Sequence, residues 1–186
     1  MNIVFSSDKK EYNTIKKGTE ILLAENDGFN QNIELSVEFQ DRPEILINKR
    51  NNQIHIICRE ISHYYRALNY AIHHMEEDEF QYREHVCFER NGLMLDCSRN
   101  AVFTVEKVKF LIKTLAKLGM NVLMLYTEDT YEVEGQPYFG AYRGKYTKDE
   151  IKELDAYASM FGVELVPCIQ TLAHLHNVLK WPGMDK

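Results

Sequence analysis

Residues 93–126 read LMLDCSRNAVFTVEKVKFLIKTLAKLGMNVLMLY, and the rhythm of this stretch decides the fold. Leu93-Met94-Leu95 is a short apolar run of the kind that fills a buried strand. Thr104 predicts a helix cap, because its hydroxyl can accept from an otherwise orphaned N–H of the first turn. Val108, Leu111, Ile112, Leu115 and Leu118 then recur along one face of a helix that Gly119 closes. Residues 121–126 are a second apolar strand, followed by a polar, aromatic and glycine-containing loop over 127–147. Thr147 predicts a second cap, with Ile151, Leu154 and Tyr157 turned inward and an end near Gly162. Residues 163–169 are a third strand. Strand, helix, strand, helix, strand with short returns is the signature of parallel β/α units.

Upstream the rhythm changes. Residues 33–39, IELSVEF, place Ile33, Leu35, Val37 and Phe39 on one face at period two. Residues 44–48 and 53–58 read as a strand pair joined by Lys49-Arg50-Asn51-Asn52, whose asparagines favour a turn. Ser62 to Met75 reads as a helix capped by Ser62, with Tyr65, Leu68, Ile72 and Met75 at helical spacing and Tyr64, Tyr65 and Tyr70 packed on the strands. The acidic run Glu76-Glu77-Asp78-Glu79 reads as a solvated loop. An antiparallel or mixed sheet with one main helix is expected over about 1–85. The change of rhythm near Tyr82–Arg90 divides the chain into a small α+β domain at 1–87 and a β/α domain at 88–186.

The composition narrows the function. Of 186 residues, 45% are hydrophobic and 27% charged, which excludes a wholly disordered chain. Twenty-two basic residues against 28 acidic ones give a net charge of −6. That is the wrong sign for a generic nucleic-acid footprint or a polybasic membrane surface, so neither nucleic acid nor membrane is expected as a partner. No apolar stretch approaches the roughly 20 residues of a membrane span. The opening Met1-Asn2-Ile3-Val4-Phe5 lacks the pattern of a secretory signal. Cys58, Cys87, Cys97 and Cys168 are scattered without a C-x-x-C pair, which predicts free thiols and a cytoplasmic setting.

Ligands of β/α folds sit beyond the carboxyl ends of the parallel strands. The first predicted strand ends in Asp96-Cys97-Ser98-Arg99-Asn100, the second in Glu128-Asp129, and the third in Gln170-Thr171 with His174 four residues on. One arginine, two acids and a histidine can then share one face. A fixed guanidinium donates to hydroxyls and carboxylates accept from them, so the set suits a neutral polyol. Tyr131, Tyr138, Phe139 and Tyr142 add rings on which sugar C–H faces can pack, and Trp181 reads as either a subsite wall or a core residue. Neither G-x-G-x-x-G nor G-x-x-x-x-G-K occurs, so no phosphate cradle is expected. His174 and His176 lack further ligands at metal spacing, so no metal and no cofactor are expected. Cys97 and Cys168 read as small buried hydrophobes.

Three segments, RNGLMLDCSRNAV, LYTEDTYEVEGQPYFGAYRGKYT and ELVPCIQTLAHL, resemble the opening of the catalytic barrel in glycoside hydrolase family 20, the β-N-acetylhexosaminidases. The resemblance implies a (β/α)8 barrel, of which about three β/α units fall in this chain, preceded by the family's small α+β accessory domain at 1–87. A complete barrel takes roughly 250 residues, so the chain is expected to be the first part of a longer hydrolase. The family removes terminal β-linked N-acetylglucosamine or N-acetylgalactosamine by a retaining mechanism in which the substrate's acetamido oxygen is the nucleophile. An Asp-Glu pair at the end of the fourth strand orients that group and protonates the leaving oxygen. Asp149-Glu150 reads instead as the acidic first turn of a helix. By itself the 186-residue chain is therefore expected to be inactive, and its open barrel edge to invite self-association.

By the same resemblance, Arg99 matches the arginine that grips the sugar O3 and O4 hydroxyls; read from the residues alone, it also suits an ion pair with Asp96 or Glu128. Asp96 is expected to hold Arg99. Glu128 and Asp129 match the acids after the second strand, although the family usually has Asp where this chain has Glu128. One of them is expected to hydrogen-bond His174, which matches the third-strand histidine supporting the general acid and otherwise reads as a helix-start histidine. Gln170 stands where many relatives have Asp. The contrasting reading is a non-catalytic carbohydrate-binding or interaction module.

Overall fold

The computed structural model describes residues 3–5, 9–25 and 33–181. The chain forms two compact units. The first comprises Met1–Asn91, Lys113–Asn121 and Met160–Val163, and the second Gly92–Ile112, Val122–Ser159 and Glu164–Lys186.

In the first unit the elements run β1 (Ile3–Phe5), α1 (Lys9–Ala24), β2 (Ile33–Phe39), β3 (Glu44–Arg50), β4 (Gln53–Cys58), α2 (Ile61–His73) and β5 (Glu79–His85). The strands make one mixed sheet in the order β1-β2-β4-β3-β5. β1, β2 and β4 are parallel, and β3 runs antiparallel to β4 and β5. Ile33, Leu35 and Val37 of β2 are buried, as are Ile45 and Ile47 of β3 and Ile54, Ile56 and Cys58 of β4. This is the period-two face that the alternation predicts. The hairpin is tighter than the sequence suggests. β3 continues through Arg50, which pairs with Gln53, so Asn51 and Asn52 alone make the loop. Asn51 takes φ +50°, the conformation that two-residue hairpins require and asparagine tolerates.

Three elements of this unit, β1, α1 and β5, are absent from the sequence reading. α1 is a second helix. Its buried stripe is Ile15, Thr19 and Leu22, and the polar middle position hides the periodicity. Thr19 donates its hydroxyl to the Ile15 carbonyl (2.8 Å) and lies 2.8 Å from the Tyr64 hydroxyl, so its burial is satisfied. Gly18 sits mid-helix because a Cβ there would lie 2.0 Å from the Tyr65 hydroxyl, which donates to the carbonyls of Ile15 and Met160. β5 covers part of the segment read as loop and boundary. It is a polar edge strand whose half-buried row is Phe80, Tyr82 and Glu84, and Glu84 accepts from Arg66 at 2.7 Å and from Tyr82 at 2.8 Å.

α2 also starts one residue earlier than expected, with extended Glu60 at the cap position and no side-chain cap. Ser62 falls inside the first turn, where its hydroxyl and His63 Nδ1 are buried without hydrogen-bond partners. Burial lowers the His63 imidazole below its ordinary value; Glu60 and Glu84 oppose the shift and Arg59 adds to it. The unfolded chain binds a proton here near pH 6.5 and the folded one resists it, so stability must fall as the pH drops through that value. The urea midpoint is expected to fall between about pH 7.5 and 5.5, and to fall less in His63→Leu. An equal fall in both proteins would contradict this account.

In the second unit, β6 (Gly92–Asp96), β7 (Val122–Thr127) and β8 (Glu164–Ile169) form a three-stranded parallel sheet with β7 in the middle. Gly92 is level with Val122 and Val122 with Glu164. These are the three strands that the apolar runs predict. α3 (Val105–Lys117) and α4 (Lys148–Met160) follow β6 and β7, and a short α5 (His176–Leu179) follows β8. The caps are those written in the sequence. Lys107 N–H donates to the Thr104 hydroxyl at 3.3 Å. At the other end of α3, Met120 N–H reaches the Leu115 carbonyl and Gly119 N–H that of Ala116, the paired bonds of a Schellman end. Thr147 and Glu150 make a reciprocal capping box: Glu150 N–H donates to the Thr147 hydroxyl (3.2 Å), and Thr147 N–H donates to the Glu150 carboxylate (2.8 Å). Among the described residues, no helix is long and apolar enough to cross a membrane.

Candidate functional site

The carboxyl ends of β6, β7 and β8 supply the charged side chains of one cluster. After β6, Asp96 folds back on its own turn. Its Oδ1 accepts from the Ser98 N–H (2.9 Å), the Ser98 hydroxyl (2.8 Å) and the Arg99 N–H (3.2 Å), and its Oδ2 accepts from Arg99 Nη1 at 2.7 Å. The Ser98 N–H, with the Arg99 guanidinium, holds the Asp96 carboxyl well below the usual carboxylate range. Asp96 thus fixes one edge of Arg99. The guanidinium also lies 5.0 Å over the Tyr126 ring and donates to its hydroxyl at 3.4 Å. Arg99 remains half exposed, with donors to spare.

Thr127 closes β7, and Glu128, Asp129 and Thr130 follow it, all four buried. The Glu128 carboxylate faces three basic groups: Arg99 Nη2 at 3.9 Å, Arg143 Nη1 at 3.8 Å and His174 Nδ1 at 3.7 Å. None closes to hydrogen-bonding distance, so the carboxylate keeps capacity to accept from a ligand hydroxyl. Asp129, only 3% exposed, is hydrogen-bonded to Arg143 instead. The expected acid–His174 hydrogen bond is therefore a longer polar contact, with Glu128, at 3.7 Å. His174 lies in the bend ahead of α5 rather than at its start, with φ +61°. A histidine in this conformation is uncommon, and backbone strain of this kind collects at functional sites.

Arg143 is the residue that sequence reading missed. It lies 14 positions beyond Asp129 in the 127–147 loop, and only the way that loop closes brings it back. Tyr146 N–H donates to the Thr130 carbonyl and Glu132 N–H to that of Tyr146, which pinches the base of the loop. The Tyr146 hydroxyl donates to the Phe103 carbonyl at 2.8 Å, and burial raises its pKa well above the ordinary phenol value. Gly140, at φ +69°, passes so close that a Cβ would lie 2.3 Å from the Asp129 carbonyl oxygen. Nothing larger than glycine fits there without moving the acid pair. Cys97 is buried 3.8 Å from the Tyr146 hydroxyl, and burial raises its thiol pKa, so it packs and does not attack. Among the described residues, no group of three or more His, Cys, Asp or Glu side chains can hold a metal ion.

A cluster of this kind, at the carboxyl ends of parallel strands and rich in hydroxyl donors and acceptors, suits a sugar ring. Residues 88–184, just over half of the chain, match the model of the glycosyl hydrolase family 20 catalytic domain. The chain belongs to glycosyl hydrolase family 20. Its curated relatives include a probable β-hexosaminidase of Drosophila melanogaster, 28% identical over 106 residues, and a β-hexosaminidase of Vibrio furnissii, 30% identical over 118. Each match covers 50% of this chain but 16% and 19% of the relative, so the chain spans less than a fifth of their length. Among solved structures, the family 20 exo-β-N-acetylglucosaminidase of Vibrio harveyi, in complex with N-acetylglucosamine, shares the fold. Its TM-score is 0.74 at 19% identity, over 96% of this chain and 34% of that one. The family 20 match covers Arg99, Glu128, Asp129, Arg143 and His174.

Proposed function

We propose that the chain supplies the hydroxyl-binding wall of a β-N-acetylhexosaminidase, a retaining enzyme that releases terminal β-linked N-acetylglucosamine or N-acetylgalactosamine. On this reading, residues 88–186 are the first three β/α units of a (β/α)8 barrel and 1–87 a small α+β domain ahead of it. Arg99, fixed by Asp96, grips the sugar hydroxyls. Glu128 and Asp129 line the same site, with Glu128 and His174 supporting the general acid. The acetamido group of the substrate is the nucleophile, and an Asp-Glu pair elsewhere in the full-length enzyme orients it and protonates the leaving oxygen. The observation that carries the reading is the meeting of Arg99, Glu128 and His174, from three strand ends, within 3.7–3.9 Å in a family 20 chain. Alone, the chain leaves Met94 of β6 and Ile169 of β8 about half exposed, and self-association through these strands is expected.

The test is Arg99→Ala in the full-length protein. Losing a charge-assisted hydrogen bond costs about 1.5–3 kcal/mol, so kcat/KM on an N-acetylglucosaminide should fall roughly tenfold to a hundredfold, mostly through KM. Unchanged kinetics would refute the role of Arg99. Sugar binding without turnover by the full-length protein would favour a non-catalytic carbohydrate-binding module.

A further inference from the structure

The Glu128 carboxylate is shared between two guanidinium groups. Its Oε1 faces Arg99 Nη2 at 3.9 Å, with His174 Nδ1 at 3.7 Å from the same oxygen, and its Oε2 faces Arg143 Nη1 at 3.8 Å. A paired carboxylate and guanidinium ordinarily close to about 2.7–2.9 Å. Asp96 does so with Arg99, at 2.7 Å, whereas Glu128 does so with neither neighbour. Glu128 is buried, so water screens these attractions less than it would on the surface. Both guanidinium groups are also held from elsewhere. Arg99 is fixed by Asp96 and lies 5.0 Å over the Tyr126 ring. Arg143 is hydrogen-bonded to the buried Asp129, and its backbone N–H donates to the Gly140 carbonyl at 3.2 Å. Two held cations thus pull on different oxygens of one carboxylate, and it has closed on neither.

We infer that Arg143 is a positioning residue: its charge, acting on Glu128 Oε2, keeps Glu128 from closing on Arg99 and so keeps Arg99 Nη2 open to the sugar. This rests on the hexosaminidase reading and deepens it, because it gives Arg143 a task beyond neutralising Asp129. Asp96 already takes Arg99 Nη1. Nη2 carries two N–H groups, of which one donates to the Tyr126 hydroxyl at 3.4 Å. The other is the donor that Glu128 would take if it closed. A sugar hydroxyl would then have to displace a charge-assisted bond to reach the guanidinium. That loss falls on sugar binding, and therefore on KM, rather than on the bond-breaking step.

An Arg143 with a purely structural role would act through Asp129, so the test removes that link first. In the full-length protein carrying Asp129→Asn, Arg143→Met keeps the bulk of the side chain and removes its charge. Relative to Asp129→Asn alone, KM for an N-acetylglucosaminide should rise roughly tenfold with kcat within about twofold. Arg143→Lys, which keeps a cation, should recover most of that rise. Glu128→Gln presents a neutral amide that does not compete for Arg99, so in its presence Arg143→Met should no longer raise KM. A crystal structure of the Asp129→Asn/Arg143→Met protein should show Glu128 closed on Arg99 at about 2.8 Å. Glu128 still 3.9 Å from Arg99, or an equal rise in KM with Glu128→Gln present, overturns the inference. The crystal structure reads the positioning without turnover. If the hexosaminidase reading fails, the unsubstituted full-length protein does not cleave the N-acetylglucosaminide while Glu128 still closes on Arg99 in the variant. If the positioning fails, cleavage stands and Glu128 does not move.

Discussion

The 186-residue chain, assayed by itself against a chromogenic N-acetylglucosaminide, is expected to show no turnover above the uncatalysed rate. Cleavage requires a proton for a poor leaving group and a partner that holds the acetamido group for attack. General acid catalysis alone contributes about 10²–10⁴-fold, and the orientation of the internal nucleophile contributes further. Arg99 and Glu128 can hold hydroxyls but are not placed in either role. The Asp-Glu dipeptides of the described residues have other work. Asp78-Glu79 stands at the start of β5, and Asp149-Glu150 opens α4. There Glu150 is held by the Thr147 hydroxyl at 2.9 Å and Asp149 faces Lys152 at 3.4 Å. Turnover at an ordinary enzyme's rate, abolished by a substitution within residues 1–186, would show that the catalytic groups lie here after all.

Arg143→Ala is expected to be the most destabilising single change in the site. Asp129 is almost fully buried, and Arg143 is the cation hydrogen-bonded to it. Removing one partner of a buried pair leaves an uncompensated charge and costs roughly 3–5 kcal/mol. Arg143 is itself partly exposed, so water can relieve some of that and the lower end applies. About 3 kcal/mol corresponds to a fall in melting temperature on the order of 6–12 °C for a chain of this size. Asp129→Asn in the Arg143→Ala background should recover most of the loss, because it removes the stranded charge. An unchanged melting temperature in Arg143→Ala would show that Asp129 finds another partner or is solvated.

The contrast between Arg99 and Arg143 shows which parts of the site are legible in the sequence. Arg99, Glu128 and Asp129 stand directly after apolar runs that read as strands, so the β/α rule puts them at one end of the sheet. The caps at Thr104, Gly119 and Thr147 are equally local, since each depends on hydrogen bonds within a few residues. Arg143 is different. Its place depends on how a loop of some twenty residues closes through Tyr146 and Thr130, and no periodicity encodes that closure. The same holds for α1 and β5. A stripe with Thr19 in its middle and a strand row containing Glu84 look polar until Tyr64 and Arg66, far along the chain, are found to satisfy them. Ser62 shows the opposite failure: a good capping residue two positions past the cap at Glu60, left inside the first turn.

The central claim, that this chain provides the hydroxyl grip of a hexosaminidase site, is tested most directly by a crystal structure of the full-length protein with N-acetylglucosamine bound. The account predicts the sugar at the carboxyl ends of β6, β7 and β8, with Arg99 donating to its O3 and O4 hydroxyls and Asp96 still holding the other edge of the guanidinium. A sugar bound at a site that does not include Arg99 would contradict it.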